Sequence, residues 1–348
     1  MSEAGGRFFE DFRLGEELRH ATPRTLTTGD AALYQALYGS RFAVQSSDAF
    51  AQALGYPRAP LDDLLVFHTV FGKTVPDISL NAVANLGYAA GRFLRPVFAG
   101  ETLHAVSDVV GLRENANRET GVVYVRSRGF DAAGAPVLDY VRWVMVRKRE
   151  PMSPAPEAHV PDLPAAVAAD ALGAALPPDL GAYHAMLAGS ARRFGDYAVN
   201  ERIDHMDGMT VEEAEHQMAT RLYQNTARVH FDALRQRDSR FGRRLVYGGH
   251  VISLTRSLSF NGLANAFHVA AINGGRHVAP CFAGDTVYAW SEVLDKAEAP
   301  DRPDIGFLRL RTVATKDRPC AAFPFKDAQG RYDPAVILDF DYWAAMPR

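Results

Sequence analysis

The chain has 348 residues, a formal net charge of -3 with both signs interspersed, 47% hydrophobic and 10% aromatic residues, and two cysteines. A chain of this length can bury about 75% of its extended surface and needs no disulfide framework; the near-neutral charge excludes a dedicated nucleic-acid binder, which would carry a strong basic excess. Cys281 and Cys320 lack CxxC spacing, which fits a reducing cytoplasm and offers no zinc site.

The opening stretch, up to Asp30, carries charges throughout and has no apolar core of the kind a secretory leader needs. No apolar run approaches the ~18 residues of a membrane span. The expectation is therefore a cytoplasmic enzyme-sized protein with no membrane and no nucleic-acid partner.

In chain order, FFEDFRLGEEL reads as loop and short strand, and TLTTGDAALYQALYG as a capped helix. An apolar helix follows over Leu64 to Phe71. Three strands then come from TLHAVSDVVGL, GVVYVRSRGF and PVLDYVRWVMV, whose alternation suits an antiparallel sheet covered on one face. The same order returns later. RFGDYAVNERI opens it, TVEEAEHQMATRLYQ is the capped helix, and Gly249 to about Leu263 is the apolar helix, with Val251, Leu254 and Leu258 in helical spacing. TVYAWSEVLD, IGFLRLRTVA and AVILDFDYW are the strands.

Direct alignment shows the duplication. Arg95 to Val109 realigns on Ala279 to Val293 at an offset of 184, with eight of fifteen positions identical. Gly91-Arg92 falls on Gly275-Arg276 at the same offset; Phe9, His20, Thr25 and Tyr38 fall on Phe194, His205, Thr210 and Tyr223 at 185; Leu138 and Trp143 fall on Leu338 and Trp343 at 200. We read two units, 1–148 and 184–348, joined by a Pro/Ala-rich connector over 149–183 that is expected to be extended and partly solvated. A long helix wrapped by an antiparallel sheet, present twice, is an α+β double hotdog, whose sheets can join edge to edge and so protect exposed edges.

Chemistry concentrates in LYQNTARVHFD, Leu222 to Asp232, where Asn225 precedes His230 by five positions. With the downstream FAGDT, this block resembles the MaoC-like (R)-specific enoyl-CoA hydratases, whose catalytic segment has the form G-D-x-N-P-x-H-x-D. Asn225 falls on the aspartate, His230 on the histidine and Asp232 on the trailing aspartate. The stretch VFHTVFGKTVPDISLNAVANLGYAAGRFLRPVFAG, with the length and two-unit plan, is similar to the mesaconyl-CoA (2-methylfumaryl-CoA) hydratase subgroup, also called β-methylmalyl-CoA dehydratases. The resemblance implies reversible syn addition of water to a branched, carboxylated enoyl thioester, with coenzyme A as part of the substrate and no separate cofactor.

Such an addition needs a positioned water, a group to take its proton, an acid for the α-carbon and donors for the thioester oxygen. An isolated histidine is ordinarily a hydrogen-bonded core residue; the spacing inside a matching block makes His230 the acid-base candidate. Asn225 cannot act as a base, but it can hold a water, and Asp232 is a possible auxiliary carboxylate. Gly249 lies where a helix begins, where free amides favour a developing oxyanion, and the resemblance gives a glycine there this role. For the substrate carboxylate the forked donors of arginine are suited: Arg228 first, then Arg41 and Arg256. Arg92 and Arg276 recur in both units and read as structural. The first unit carries Ser40 and Gln45 at the positions of Asn225 and His230, so it is expected to bind rather than catalyse. No HxxxH, HxH, GxGxxG or GxxxxGK pattern is present, so no metal or nucleotide site is expected. The rival readings are a hotdog acyl-CoA thioesterase and a non-catalytic acyl-CoA-binding protein; a homodimer or higher homo-oligomer is expected.

Overall fold

The computed structural model describes residues 5–299 and 301–348. Residues 1–4, where the stretch read for a leader begins, lie outside the described residues. The first unit contains β1 (Glu17–Thr25), α1 (Thr28–Tyr38), α2 (Ala43–Ser46), α3 (Asp48–Ala53), α4 (Asp63–Ile78), β2 (Ala82–Phe93), β3 (Thr102–Glu114), β4 (Thr120–Phe130) and β5 (Pro136–Arg147). The second contains β6 (Arg202–Thr210), α5 (Glu213–Leu222), α6 (Ala233–Gln236), α7 (Gly248–Leu258), α8 (Phe260–Leu263), β7 (His268–His277), β8 (Thr286–Ala299), β9 (Arg302–Lys316) and β10 (Val336–Pro347).

All ten strands form one antiparallel sheet in the order β1-β3-β4-β5-β2-β7-β10-β9-β8-β6. Each unit supplies five strands, and the seam is β2 against β7, with Gly91 opposite Ile272 and Arg92 opposite Ala271. The expected edge-to-edge junction is thus present, although the two strands that make it have no counterpart in the sequence reading. NAVANLGYAAGRF and HVAAINGGRH are rich in Ala, Gly and Asn and lack a period-two pattern. β2 also shifts register against β5 three times, which scrambles any alternation.

The central helices are buried on all sides: α4 from Leu64 through Val75, and α7 from Gly249 through Leu258. Such a helix has no polar face to mark its limits. α4 therefore runs past Phe71 to Ile78, and α7 stops at Leu258 rather than Leu263. It breaks at Asn261 and Gly262, whose carbonyls are taken by His205 Nδ1 at 2.6 Å and the Tyr197 hydroxyl at 2.6 Å.

The duplication repeats at the level of single contacts. His20 Nε2 meets Ser107, which meets Ser127; His205 Nε2 meets Ser291, which meets Thr312. The repeat mates Tyr38 and Tyr223 touch each other, the Tyr223 hydroxyl donating to that of Tyr38 at 2.8 Å. The pseudo-two-fold axis therefore passes between their rings. The connector is less solvated than its composition suggests. It bridges His159 to Leu112 of β3, accepts the Trp343 indole N–H at Val167 and the Tyr56 hydroxyl at Ala175, and buries Val167, Leu172, Leu180 and Tyr183.

Candidate active site

The site is built where α5 ends. Gln224 adopts a left-handed φ of 51°, which reverses the chain, and Asn225 Oδ1 then accepts the Ala227 amide at 2.9 Å. A 3-10 turn over Arg228–His230 follows. This tight path needs a close floor, and the first unit provides it: a Cβ on Gly72 of α4 would stand 1.8 Å from the Tyr223 carbonyl oxygen. Lys73 donates to the Gln224 side chain and Arg24 to the Leu222 carbonyl, so two cations of the first unit hold the C-terminal end of α5, where the helix dipole favours positive charge.

His230 is 9% exposed, and its Nδ1 lies 2.9 Å from the Leu245 carbonyl. A carbonyl only accepts, so Nδ1 carries the proton and Nε2 presents its lone pair. Burial pushes the imidazole down to about 4, against the opposing pull of the Leu245 bond, and the ring is neutral at physiological pH. The amide nitrogen of Asn225 has no partner among the described residues, whereas its oxygen is committed to Ala227.

Across from this turn α7 begins. Its N-cap is Tyr247, whose ring packs 5.4 Å from that of His230 and 5.7 Å from that of His68. The helix starts at Gly248, so Gly249 lies within the first turn rather than before it. Neither the Gly248 nor the Gly249 amide has an acceptor among the described residues. A Cβ on Gly249 would meet the Tyr247 ring at 2.3 Å and His68 at 2.6 Å; one on Gly248 would meet the His277 ring at 2.4 Å.

The corresponding place in the first unit is closed. Asp62 stands where Tyr247 does and its carboxylate caps the Leu64 amide at 2.9 Å, filling the position that Gly249 leaves free. Gln45, at the place of His230, donates to the Phe267 carbonyl at 2.7 Å. Asp63, in place of Gly248, holds His268 Nδ1 at 2.8 Å and the Val269 amide at 2.9 Å. The space left among Gln45, Asp63, Phe93 and His268 is about 10 Å³, roughly one water molecule.

Of the residues singled out from sequence, Asn225, His230 and Arg228 lie on one turn, and Gly249 joins His230 through the Tyr247 ring. Arg228 is half-buried in the same 3-10 turn. Arg256 does not join them. It sits about 10 Å along α7 from Gly249 at ~1.5 Å per residue, is 5% exposed, stacks on Phe42 at 3.6 Å and donates to the Ala266 carbonyl. Arg41 is exposed, bonded to Asn261 and stacked on Phe260, at the broken end of α7. Asp232 caps α6 through the Arg235 amide at 3.1 Å and has no hydrogen bond to His230 among the described residues. Arg92 salt-bridges Asp139, in keeping with a structural role. Sequence reasoning missed Gly72, His68, Tyr88, Tyr247 and His277. The signal that could have found His277 was the repeat: it directly follows the Gly-Arg pair shared by both units, where the first unit has Phe93.

The model of the mesaconyl-CoA hydratase family matches residues 2–323. The β-methylmalyl-CoA dehydratase of Chloroflexus aurantiacus is 64% identical over 99% of this chain and 97% of its own length. The chain belongs to the mesaconyl-CoA hydratase family. The mesaconyl-CoA hydratase of Cereibacter sphaeroides is 60% identical over the whole of both chains. Family membership is matched in three dimensions: a crystal structure of a MaoC-domain protein from Chloroflexus aurantiacus superposes with a TM-score of 0.97 at 63% identity, covering 100% of this chain and 99% of that one. A double-hotdog protein from Mycobacterium tuberculosis superposes at 0.76 with 26% identity, covering 99% and 100%. Like these relatives the chain is a MaoC-like double hotdog, and no helix among the described residues is long and apolar enough to cross a membrane.

Proposed function

We propose that the chain adds water reversibly to mesaconyl-CoA, giving β-methylmalyl-CoA, at the single pocket formed by LYQNTARVHFD and the start of α7. The observation that carries this reading is a buried, neutral imidazole whose Nε2 has no partner among the described residues and whose ring packs on Tyr247, the N-cap of a helix whose first two amides have no acceptor among the described residues.

The steps follow from the geometry. Asn225, with its oxygen engaged, donates an N–H to the water oxygen and leaves both water protons free. His230 Nε2 takes one of them as the oxygen bonds to the β-carbon. The π electrons move through the α-carbon toward the thioester oxygen, where the Gly249 amide, aided by the helix dipole, receives the developing charge. The imidazolium then returns the proton to the α-carbon. Because the same ring takes and gives it, water adds to one face. Burial helps the second step, since an imidazolium in a site that depresses its basicity is a stronger acid.

Arg228, two positions before His230, is the proposed anchor for the free carboxylate on the β-carbon. Hydration moves water and a proton only, so the reading requires no redox cofactor or metal, and coenzyme A enters as part of the substrate. Cys281 and Cys320 are both buried free thiols, which supports a cytoplasmic setting, and a homo-oligomer is proposed.

The test is an enoyl-CoA panel containing mesaconyl-CoA and crotonyl-CoA. Expected is loss of conjugated enoyl-thioester absorbance without release of free thiol, fastest for mesaconyl-CoA. Thiol release would make the protein a thioesterase, and binding without turnover would make it a carrier. Equal rates on crotonyl-CoA would remove the case for Arg228.

A further inference from the structure

We propose that His277, the last residue of β7, is an additional hydrogen-bond donor to the thioester oxygen, held in that role by the Tyr88 hydroxyl of the first unit. The inference deepens the hydratase reading and rests on it. The imidazole lies against the bare Cα of Gly248: a Cβ there would stand 2.4 Å from its Cε1 and 2.5 Å from its Nε2. It therefore packs against the first residue of α7, whose amide, like that of Gly249, has no acceptor among the described residues. In a helix N-terminus alone these amides would say little; here a partly buried ring, its Nδ1 without a partner among the described residues, packs against the first glycine.

We assign the proton of His277 through Tyr88. This residue is 3% exposed, and burial keeps its phenol protonated. Its hydroxyl lies 3.4 Å from His277 Nε2. A phenol can donate or accept; with Tyr88 taken as the donor, Nε2 supplies the lone pair and Nδ1, which has no acceptor among the described residues, carries the hydrogen. His230 is the same Nδ1–H tautomer, but its Nδ1–H is committed to Leu245 and its Nε2 lone pair is open. One imidazole is set to accept from water and the other to donate to the substrate.

A neutral imidazole suffices for this work, because donating a hydrogen bond to an enolate oxygen does not require parting with the proton. Burial pushes His277 down to about 4, with a further contribution from His230, so the ring stays neutral and adds no cation to the pocket. The first unit supplies the control. Phe93 pairs with Leu138 there just as His277 pairs with Leu338, and the Leu64 amide beside it is capped by Asp62. Where the helix start is closed, the neighbouring ring has no donor; where it is open, the ring has one.

The test compares wild type, His277→Phe and His277→Gln, the first installing the residue of the other unit and the second keeping an N–H. On mesaconyl-CoA, the Phe variant is expected to lose about 10² in kcat with little change in KM, as when one oxyanion donor is removed, and Gln to regain at least tenfold (~10) of it. The second readout is the carbonyl stretch of bound 2-methylsuccinyl-CoA, the saturated analogue, labelled with carbon-13 at the thioester. It is expected at lower frequency in wild type than in the Phe variant, which a merely structural role would not produce. An unchanged frequency, or unchanged kcat, overturns the proposal. Should wild type bind the analogue but not hydrate mesaconyl-CoA, the hydratase reading falls, while the frequency difference still decides the role of His277. His277→Leu replaces the Phe variant if the latter does not fold.

Discussion

The two repeat-related helix starts of this molecule, at α4 and α7, differ in the residues that border them. At the second, the helix start is bare glycine, its first two amides have no acceptor among the described residues, and a neutral histidine offers a lone pair. At the first, Asp62 plugs its own helix start, Gln45 ties itself to a backbone carbonyl, and about 10 Å³ remains. The difference between the two units is not confined to the position of His230 and Gln45. Gly248, Gly249 and His277 stand where the first unit has Asp63, Leu64 and Phe93; Asp63 holds His268 and the Val269 amide, and Gln45 donates to the Phe267 carbonyl while its Oε1 stays buried without a hydrogen-bond partner among the described residues.

The comparison can be broken most decisively at His230. His230→Gln, which installs the residue of the closed pocket, should lower kcat by about 10³, within the range for a general acid-base group, with an unchanged melting temperature; a folded variant with full turnover would refute the assignment. Adding Gln45→His to that variant should restore nothing, because Asp62 still occupies the Leu64 amide. Next in size is Gly249→Ala. Its new methyl would press on Tyr247 and His68 and spoil the oxyanion position, for an expected loss of about 10² in kcat.

Gly72→Ala tests whether the first unit shapes the catalytic turn of the second. The carbonyl of Tyr223 would have to retreat from 1.8 Å; overpacking of this kind costs about 1–3 kcal/mol, and kcat should fall by roughly tenfold if the turn moves with it. A variant destabilised in thermal melts but unaltered in kcat would confine Gly72 to packing.

The smallest and most diagnostic effect is in pH. His230 must be neutral to accept a proton, and its folded value near 4 lies below the usual 6.5. Therefore kcat/KM should stay level from pH 8 down to ~5.5 and fall only as pH approaches ~4. Asn225→Asp places a carboxylate beside the ring, which favours the imidazolium and should move that acid limb upward. A wild-type limb at 6.5 would mean the ring is solvated in the working enzyme.

Much of this was legible in the sequence. The duplication, the family block and the pairing of His230 with Gln45 all lie in residue identities at a fixed spacing. The seam strands were not, because β2 and β7 lie at the centre of the sheet and are built largely from Ala, Gly and Asn, so neither alternation nor β-branched enrichment marks them. Arg256 was misread for a related reason: an arginine in an apolar helix looks like a ligand anchor, yet its guanidinium is spent on Phe42 and the Ala266 carbonyl. Tyr88 was invisible because its importance lies in reaching from one unit to His277 of the other, a contact 189 positions apart. What sequence spacing conveys is chemistry along one segment; what it omits is which segment of the other unit completes the pocket.

Gly72 has a mate at the 185 offset, Ser257. In a symmetric pair of identical subunits, any residue chosen to admit the Tyr223 carbonyl would have to appear twice, and the counterpart of Ser257 would be bare as well. Fusion removes that obligation. One strand of coding sequence now carries both versions, so a glycine can be kept where a backbone must pass and a hydroxyl where it need not. The covalent join thereby lets each helix specialise for the neighbour it actually meets, a freedom that no association of equal chains possesses.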